Sequence, residues 1–475
     1  MRSKIQFLLN GDPVALDFSE YGTPDPQITV LKYLRDFRKM TGTKEGCGTG
    51  DCGSCMVALA QKDTAGNTVL YAANACLMLL GMLDGKHLIT IEGIAKNGKL
   101  HPVQQALLHR KGTQCGFCTP GVAMSSFAAY ETGRKFTPTS IQEILSGNLC
   151  RCTGYESIRE ALTDLNATVQ SLREPTIELP PALPGEFFWE GSMGPYIKPQ
   201  TVSSLLEYKR KYPRYPIVSG ASDFSVKNIL EEPEQRPLID TSDLEELKQI
   251  QREEGWVTLG AGASVETFKN MLVPLYPAAE AYLLSFASLP VRNRATIGGS
   301  LAGASAVGDI MPLLLALNAQ LKLRTSGGSR TVACKGFNTG YHTHLLAPDE
   351  IIYAVRIPIP SKTRKLFAHK QSARKDMDIS TLTFCLCFDV VNGIVCNASS
   401  GFGGMAPTPV SSKELEDFLN GRPFSEETFA GASALMPQLF STISDVRGSA
   451  GYRMKVASHL LVSCFLETHG RNHDR

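Results

Sequence analysis

The sequence predicts a multidomain α+β protein. Its 475 residues exceed one ordinary domain. The hydrophobic pattern changes character twice, from β-like to helical and then to mixed. A stretch with four prolines, 171–194, separates the second region from the third. Four structural units are expected around that linker: 1–90, 91–170, 195–375 and 376–475.

In 1–90, KIQFLLNG and VALDF are short alternating runs about a Gly-Asp turn, a hairpin signal. TVLKYLRDFRKM (29–40) has helical spacing, with Val30, Leu31, Leu34 and Phe37 on one side. TVLYAANACLML places Cys76 in an apolar segment. In 91–170, VQQALLHR, PGVAMSSFAAYETG, SIQEILSG and SIREALTDLNATV read as four helices. Pro120 and Gly133 punctuate the second of them. From 195 the helix LLEYKRKY, the strands PIVSG, WVTLGAG, LKLRT and IIYAVRIPIP, and their glycine turns give a mixed unit. From about 380, TLTFCLCFDVV reads as a buried strand, and YRMKVASHLLVSCFLE is the closing helix.

The net charge of +2, with no long block of one sign, argues against nucleic acid as a main partner. The apolar run near the start is shorter than the ~7–15 residues of a signal peptide. The weakly charged stretch Ala295–Leu317 is broken by Asp309, Pro312 and glycines. A membrane helix needs about 20 apolar residues, so a cytoplasmic protein with no membrane partner is expected. Eight of the thirteen cysteines fall before residue 153 in two tight groups. The other five, Cys334, Cys385, Cys387, Cys396 and Cys464, sit among apolar residues and read as inert thiols.

The first group, EGCGTGDCGSC (45–55), spaces Cys47, Cys52 and Cys55 as C-x4-C-x2-C, and Cys76 follows. This is plant-type [2Fe–2S] spacing. Such a cluster needs four thiolates, and backbone N–H groups donate to its sulfurs. Glycine lets the backbone come that close and accepts positive φ. Structural zinc is the rival, since Cys52 and Cys55 have zinc-like spacing. The second group pairs Cys115-x2-Cys118 with Cys150-x-Cys152, each near a helix start, where partial positive charge favours thiolates. A zinc ribbon would prefer C-x2-C at both ends.

EGCGTGDCGSC, QCGFCTPG (114–121) and GNLCRCTGY (147–155) together resemble the iron–sulfur part of the xanthine dehydrogenase family of molybdenum hydroxylases. The resemblance covers about residues 1–165. It implies one [2Fe–2S] cluster in a ferredoxin-like β-grasp domain and another in a four-helix domain.

PIVSGASDFSV (216–226) and ASLPVRNRATIGGSLAGASAVGDIMPLL (287–314) each bring small residues into a turn where main-chain N–H groups approach an anion. Neither is a G-x-G-x-x-G fingerprint, so no Rossmann site is indicated. Both resemble the flavin domain of the same family, whose fold is shared with vanillyl-alcohol oxidase. Carried over residue by residue, the FAD set is Ile217, Val218, Ser219, Gly220, Ala221, Ser222 and Asp223; then Phe286, Ala295, Thr296, Gly299, Ser300, Leu301 and Asp309. PDEIIYAVRIP adds Ile352, and HKQSARKDMDIS adds Lys370. Ser300 stands where relatives carry asparagine. SDVRGSAGYRMKVASHLL (444–461) resembles the family's small α+β C-terminal flavoprotein domain.

The resemblance implies an electron-transfer subunit. A large molybdopterin-binding partner, the sole holder of the molybdenum cofactor, hydroxylates a purine. Its electrons pass through two [2Fe–2S] clusters to FAD and on to NAD. A heterotetramer with two copies of each chain is expected. Two alternatives stay open: the same role toward another N-heterocycle or an aldehyde, or a free-standing iron–sulfur flavoprotein carrier.

Overall fold

A computed structural model describes residues 1–169, 177–181, 183–231 and 234–470. Met1–Tyr208, Arg214–Glu245 and Ala287–Ala295 form a first unit; Lys209–Pro213, Glu246–Phe286 and Thr296–Arg475 form a second.

The first unit opens with β1 (Lys4–Leu9) and β2 (Asp12–Asp17), an antiparallel hairpin turning at Asn10 and Gly11, both at positive φ. Ile5, Phe7 and Leu9 alternate into the core. Helix α1 (Val30–Lys32) starts under a Thr29 cap and continues as a π-helical turn, Tyr33–Phe37. Val30, Leu31 and Leu34 are buried as their spacing predicts, but Phe37 is exposed, because the wider turn rotates it off the apolar face. Strands β3 (Met56–Lys62), β4 (Thr68–Asn74) and β5 (His87–Ile89) complete a sheet ordered β2-β1-β5-β3-β4, with β1 and β5 parallel. This is the expected ferredoxin-like arrangement.

Helices α2 (Pro102–His109), α3 (Thr119–Glu131), α4 (Pro138–Leu145) and α5 (Glu156–Asp164) follow, four as the periodicity predicts. Proline occupies the first turn of α2, α3 and α4, where its missing N–H is not needed. Val103, Leu107, Val122, Ile141, Ile144 and Ile158 form their common core.

The stretch expected as linker, 171–194, is only partly so. Residues 171–176 and 182 lie outside the described residues. From Phe187 the chain forms β6 (Phe187–Gly191) and pairs it with β7 (Gly194–Lys198). After α6 (Val202–Lys211) come β8 (Ile217–Val218), α7 (Ser222–Glu231) and β9 (Leu238–Asp240), giving a sheet ordered β6-β7-β9-β8.

The second unit contains β10 (Ile250–Glu253), β11 (Trp256–Gly260), α8 (Val265–Leu272) and α9 (Glu280–Leu284). The chain then returns to the first unit for Ala287–Ala295, which includes α10 (Leu289–Arg292). Back in the second unit are α11 (Ile297–Ala302), α12 (Ile310–Ala316), β12 (Gln320–Thr325), β13 (Gly328–Ala333), the small pair β14 (Asn338–Gly340) and β15 (Thr343–His344), and β16 (Ile351–Pro358). One antiparallel sheet runs β10-β11-β16-β12-β13. A second comprises β17 (Arg364–Gln371), β18 (Leu382–Val391) and β19 (Ile394–Gly403), packed by α12, α13 (Lys413–Leu419) and α15 (Ala450–Gly470). Helix α14 (Glu426–Leu439) packs against α15. Residues 382–389 of β18 are all buried, as its unbroken apolar run predicts. The boundary expected at 375/376 falls after β17, which belongs to this last sheet. Among the described residues no helix is long and apolar enough to cross a membrane.

Candidate functional site: two thiol centres and a flavin cradle

Cys55 sits just before β3, and Cys76 in the turn after β4. Their sulfurs are 3.3 Å apart. Cys47 and Cys52 lie in the preceding loop, which turns through Gly48, Gly50 and Gly53 at φ of 73°, 85° and 68°. That loop aims its backbone at sulfur: Thr49, Asp51 and Cys52 N–H donate to Cys47 Sγ at 3.3–3.4 Å, and Cys47 N–H donates to Cys52 Sγ at 3.3 Å. The Cys52 thiol, hydrogen-bonding to Cys47 Sγ, holds the Cys47 pKa down to about 4. A Cβ on Gly46 would stand 2.8 Å from Cys52 Sγ. Asn74, which sequence reasoning missed, directs its amide to Gly50 O at 3.3 Å and toward Cys55 Sγ at 3.9 Å.

In the helical domain Cys118 is the N-cap of α3. The Cys118 thiol interacts electrostatically with Cys150, and the Cys152 thiol with Cys115. Burial is the main cause pushing the Cys118 pKa up to about 12. The second pair is not at a helix start, since α5 begins only at Glu156. Side chains hold it instead: Thr153 Oγ1 is 3.0 Å from Cys150 Sγ, and Tyr155 OH accepts from Cys150 N–H at 2.9 Å while donating to Asn148 O. Among the described residues no three His, Cys, Asp or Glu converge as a single metal ion would need. The thiols come in twos, the division a two-iron cluster requires of its four ligands. The residues fit such clusters at both places.

The two centres share a backbone junction. Leu149 N–H donates to Cys52 O at 2.9 Å, and Asn148 Nδ2 to Gly53 O at 3.3 Å. A Cβ on Gly53 would lie 2.0 Å from Gly147 O, and one on Gly121 would lie 2.1 Å from Gly53 O. Only bare glycines allow this approach.

The expected flavin residues fall in both units. In the first, Ile217 and Val218 are β8, and Ser219, Gly220 and Ala221 turn into α7, which begins at Ser222. Ala221 has φ 63°, so the turn presents consecutive N–H groups at a helix start, a setting that favours an anionic group. Asp223 pairs with Lys227 on the surface at 2.9 Å. Val218 and Ala221 share a hydrophobic core with Cys55 and Cys76. Ser225 Oγ donates to Leu77 O at 2.9 Å, one residue beyond Cys76. Ala295 is buried in this unit.

In the second unit Phe286 follows α9 and is half-buried. Thr296 caps α11, accepting from Gly299 N–H at 3.2 Å. Leu301 is buried, Ser300 half-buried and Gly299 exposed. Ile352 is buried in β16 opposite Leu323. Lys370 on β17 meets Asp309 at 2.9 Å, with both side chains nearly excluded from solvent, and also donates to Ser285 O at 2.9 Å. Ser380 and Tyr282 were not visible in the sequence as partners: Ser380 Oγ donates to Asp309 Oδ1, and Tyr282 OH to Asp309 O at 2.6 Å. Within the first unit, the N–H turn at Gly220–Ser222 suits the anionic part of a flavin nucleotide.

Three family models match the chain: a [2Fe-2S] binding domain over 90–163, the FAD binding domain in molybdopterin dehydrogenase over 190–360, and the CO dehydrogenase flavoprotein C-terminal domain over 367–468. Xanthine dehydrogenase from Emericella nidulans is 32% identical, and the match covers 95% of this chain and 38% of that protein. Aldehyde oxidase 1 from Bos taurus is 30% identical, covering 97% and 39% respectively. The chain thus spans under two fifths of the length of these relatives. A solved Cu,Mo-CO dehydrogenase chain is 25% identical with a TM-score of 0.55, covering 58% of this chain and 97% of that one. Quinoline 2-oxidoreductase from Pseudomonas putida 86 shares the fold, at 24% identity and a TM-score of 0.53 over 57% of this chain and 95% of that one.

The fold and the matched domains define a protein of the iron–sulfur flavoprotein class. The cysteine pairs stand ahead of the flavin fold, and the C-terminal flavoprotein domain closes the chain. The chain belongs to the molybdenum hydroxylase family, as its iron–sulfur and FAD part.

Proposed function

We propose that the chain is the electron-transfer subunit of a xanthine dehydrogenase. Electrons from a molybdenum-cofactor partner subunit pass through two [2Fe–2S] clusters to FAD and on to NAD, as hypoxanthine and xanthine are oxidised to urate. The observation that carries this is the 32% identity to a xanthine dehydrogenase along 95% of the chain. A cytoplasmic heterotetramer with two copies of each chain completes the reading.

When bound, the clusters supply one-electron relays, and FAD converts paired single electrons into a hydride for the acceptor. The chain's own part is placement. Cys47, Cys52, Cys55 and Cys76 would hold the first cluster under the N–H groups of Thr49 and Asp51. Cys115, Cys118, Cys150 and Cys152 would hold the second. Leu149 N–H, bonded to Cys52 O, joins the two ligand loops through one hydrogen bond. Ser225 Oγ ties the first flavin helix to Leu77 beside Cys76. The sixteen carried-over flavin positions, Lys370 and Asp309 among them, would line the FAD.

A second reading keeps the cofactors and changes the partner's substrate to an aldehyde or another N-heterocycle; the 30% identity to an aldehyde oxidase over 97% of the chain favours it. Purification from native cells with any stable partner separates the two. Xanthine-dependent NADH formation by a molybdenum-containing complex supports the first reading, and aldehyde turnover without xanthine turnover supports the second. A colourless chain, or one with iron and FAD that never reduces a dye from NADH, overturns both.

A further inference from the structure

The stretch Ala287–Ala295 leaves the second unit and packs into the first. It carries two arginines into the interior: Arg292 is fully buried, and Arg294 is 8% exposed. Arg292 Nη2 lies 2.7 Å from Glu143 Oε1 on α4 of the helical cluster domain, and Leu289 N–H donates to Ser146 Oγ at 3.3 Å. Asn293 Nδ2 donates to Ala72 O on β4, in the ferredoxin-like sheet, at 3.1 Å. Arg294 Nε donates to Gly220 O in the first flavin turn at 3.2 Å. A Cβ on Gly220 would stand 1.8 Å from Arg294 O, so the two backbones touch. One short segment therefore holds both cluster domains and a flavin turn.

A buried arginine–carboxylate pair is a poor device for stability, because well-packed apolar residues of similar volume often serve as well or better. Its better-attested use is to fix register: breaking it costs the fully buried Arg292 the carboxylate of Glu143, which also holds Arg134. We propose that Ser288–Ala295 is a strap that sets the first flavin turn against the helical cluster domain. Arg292–Glu143 is its anchor and Gly147 its seat, so the protein retains FAD only while that domain is folded beneath the strap. The inference rests on the flavin reading above and adds a positioning role for residues outside the expected FAD set.

The seat gives a clean test. A Cβ on Gly147 would stand 2.8 Å from Ser288 Oγ and 2.9 Å from Ser288 Cβ. Gly147 is not at positive φ, so alanine strains nothing in its own loop. Ser288 Oγ is buried and bonds nothing among the described residues, so its removal breaks no hydrogen bond. In the full iron-loaded chain, Gly147→Ala raises the dissociation constant for FAD about tenfold or more, as overpacking would. Iron per chain stays at the parental value. The double variant Gly147→Ala/Ser288→Gly returns within about threefold of the parent. Trypsin, which cannot reach Arg292 or Arg294 in the parent, cuts there in the single variant.

Parental FAD affinity in Gly147→Ala, or no recovery in the double variant, overturns the strap. If Gly147→Ala fails to fold, seen as lost iron, Glu143→Gln decides. That change keeps the shape and removes the charge. Weakened FAD binding with full iron supports the proposal, and unchanged binding sinks it. A parent chain that takes up iron but no FAD overturns the flavin reading instead.

Discussion

Gly46 shows how much of the first thiol centre depends on an absent side chain. Its Cβ would press on Cys52 Sγ, so Gly46→Ala is expected to empty that centre alone. Iron should fall from about four to about two atoms per chain, with one of two reduced-state EPR signals lost. Lys370→Met leaves the buried Asp309 carboxylate with the Ser380 hydroxyl but no cation. Breaking such a pair costs about 3–5 kcal/mol, and titration with FAD should show severely weakened binding. The cysteines were legible because their spacing is itself the chemistry. Asn148 and Ser380 were not: each acts on a residue 95 or 71 positions away, and no local pattern records such a contact.

At the scale of elements, periodicity announced the four helices of 91–170, and a proline in the first turn marked three of them, α2, α3 and α4. It hid β6, since prolines ahead of Phe187 outweighed a short aromatic strand. It also separated β17 from its sheet, because Arg364–Gln371 is largely half-buried and has no clean alternation. The β6–β9 sheet is tied to the ferredoxin-like domain by charge. Asp243 meets Lys86 at 2.7 Å and Lys198 at 2.5 Å, both lysines being nearly excluded from solvent. Burial is the main influence on Lys86 and brings its pKa down to about 8. Asp243→Asn should destabilise the first unit by about 1–3 kcal/mol, less than a fully buried pair because Asp243 is partly solvated. Thermal unfolding of the full chain measures this. Lys86 binds its proton less tightly folded than unfolded, so its contribution to stability rises with pH between about 8 and 10.4.

For the whole molecule, the two thiol centres differ in shelter. In the first, Cys55 and Cys76 are buried and Cys47 is exposed; in the second only Cys150 is buried, and both Cys115 and Cys152 are exposed. A chelator acting on the isolated chain should therefore strip the second centre before the first, followed by the loss of visible absorption in two phases. A single phase would count against this ordering. The family and its cofactor domains were legible from three short cysteine strings and two glycine turns. The excursion of 287–295 into the first unit was not, because chain order says nothing about which partner a loop chooses.

The meeting of Gly53 with Gly121 and Gly147 has a consequence for speed. Tunnelling decays exponentially with separation, and here the spacing between the ligand loops is set by main chain against main chain. No rotamer change can widen that gap, so surface substitutions leave the separation of the two ligand loops as it is.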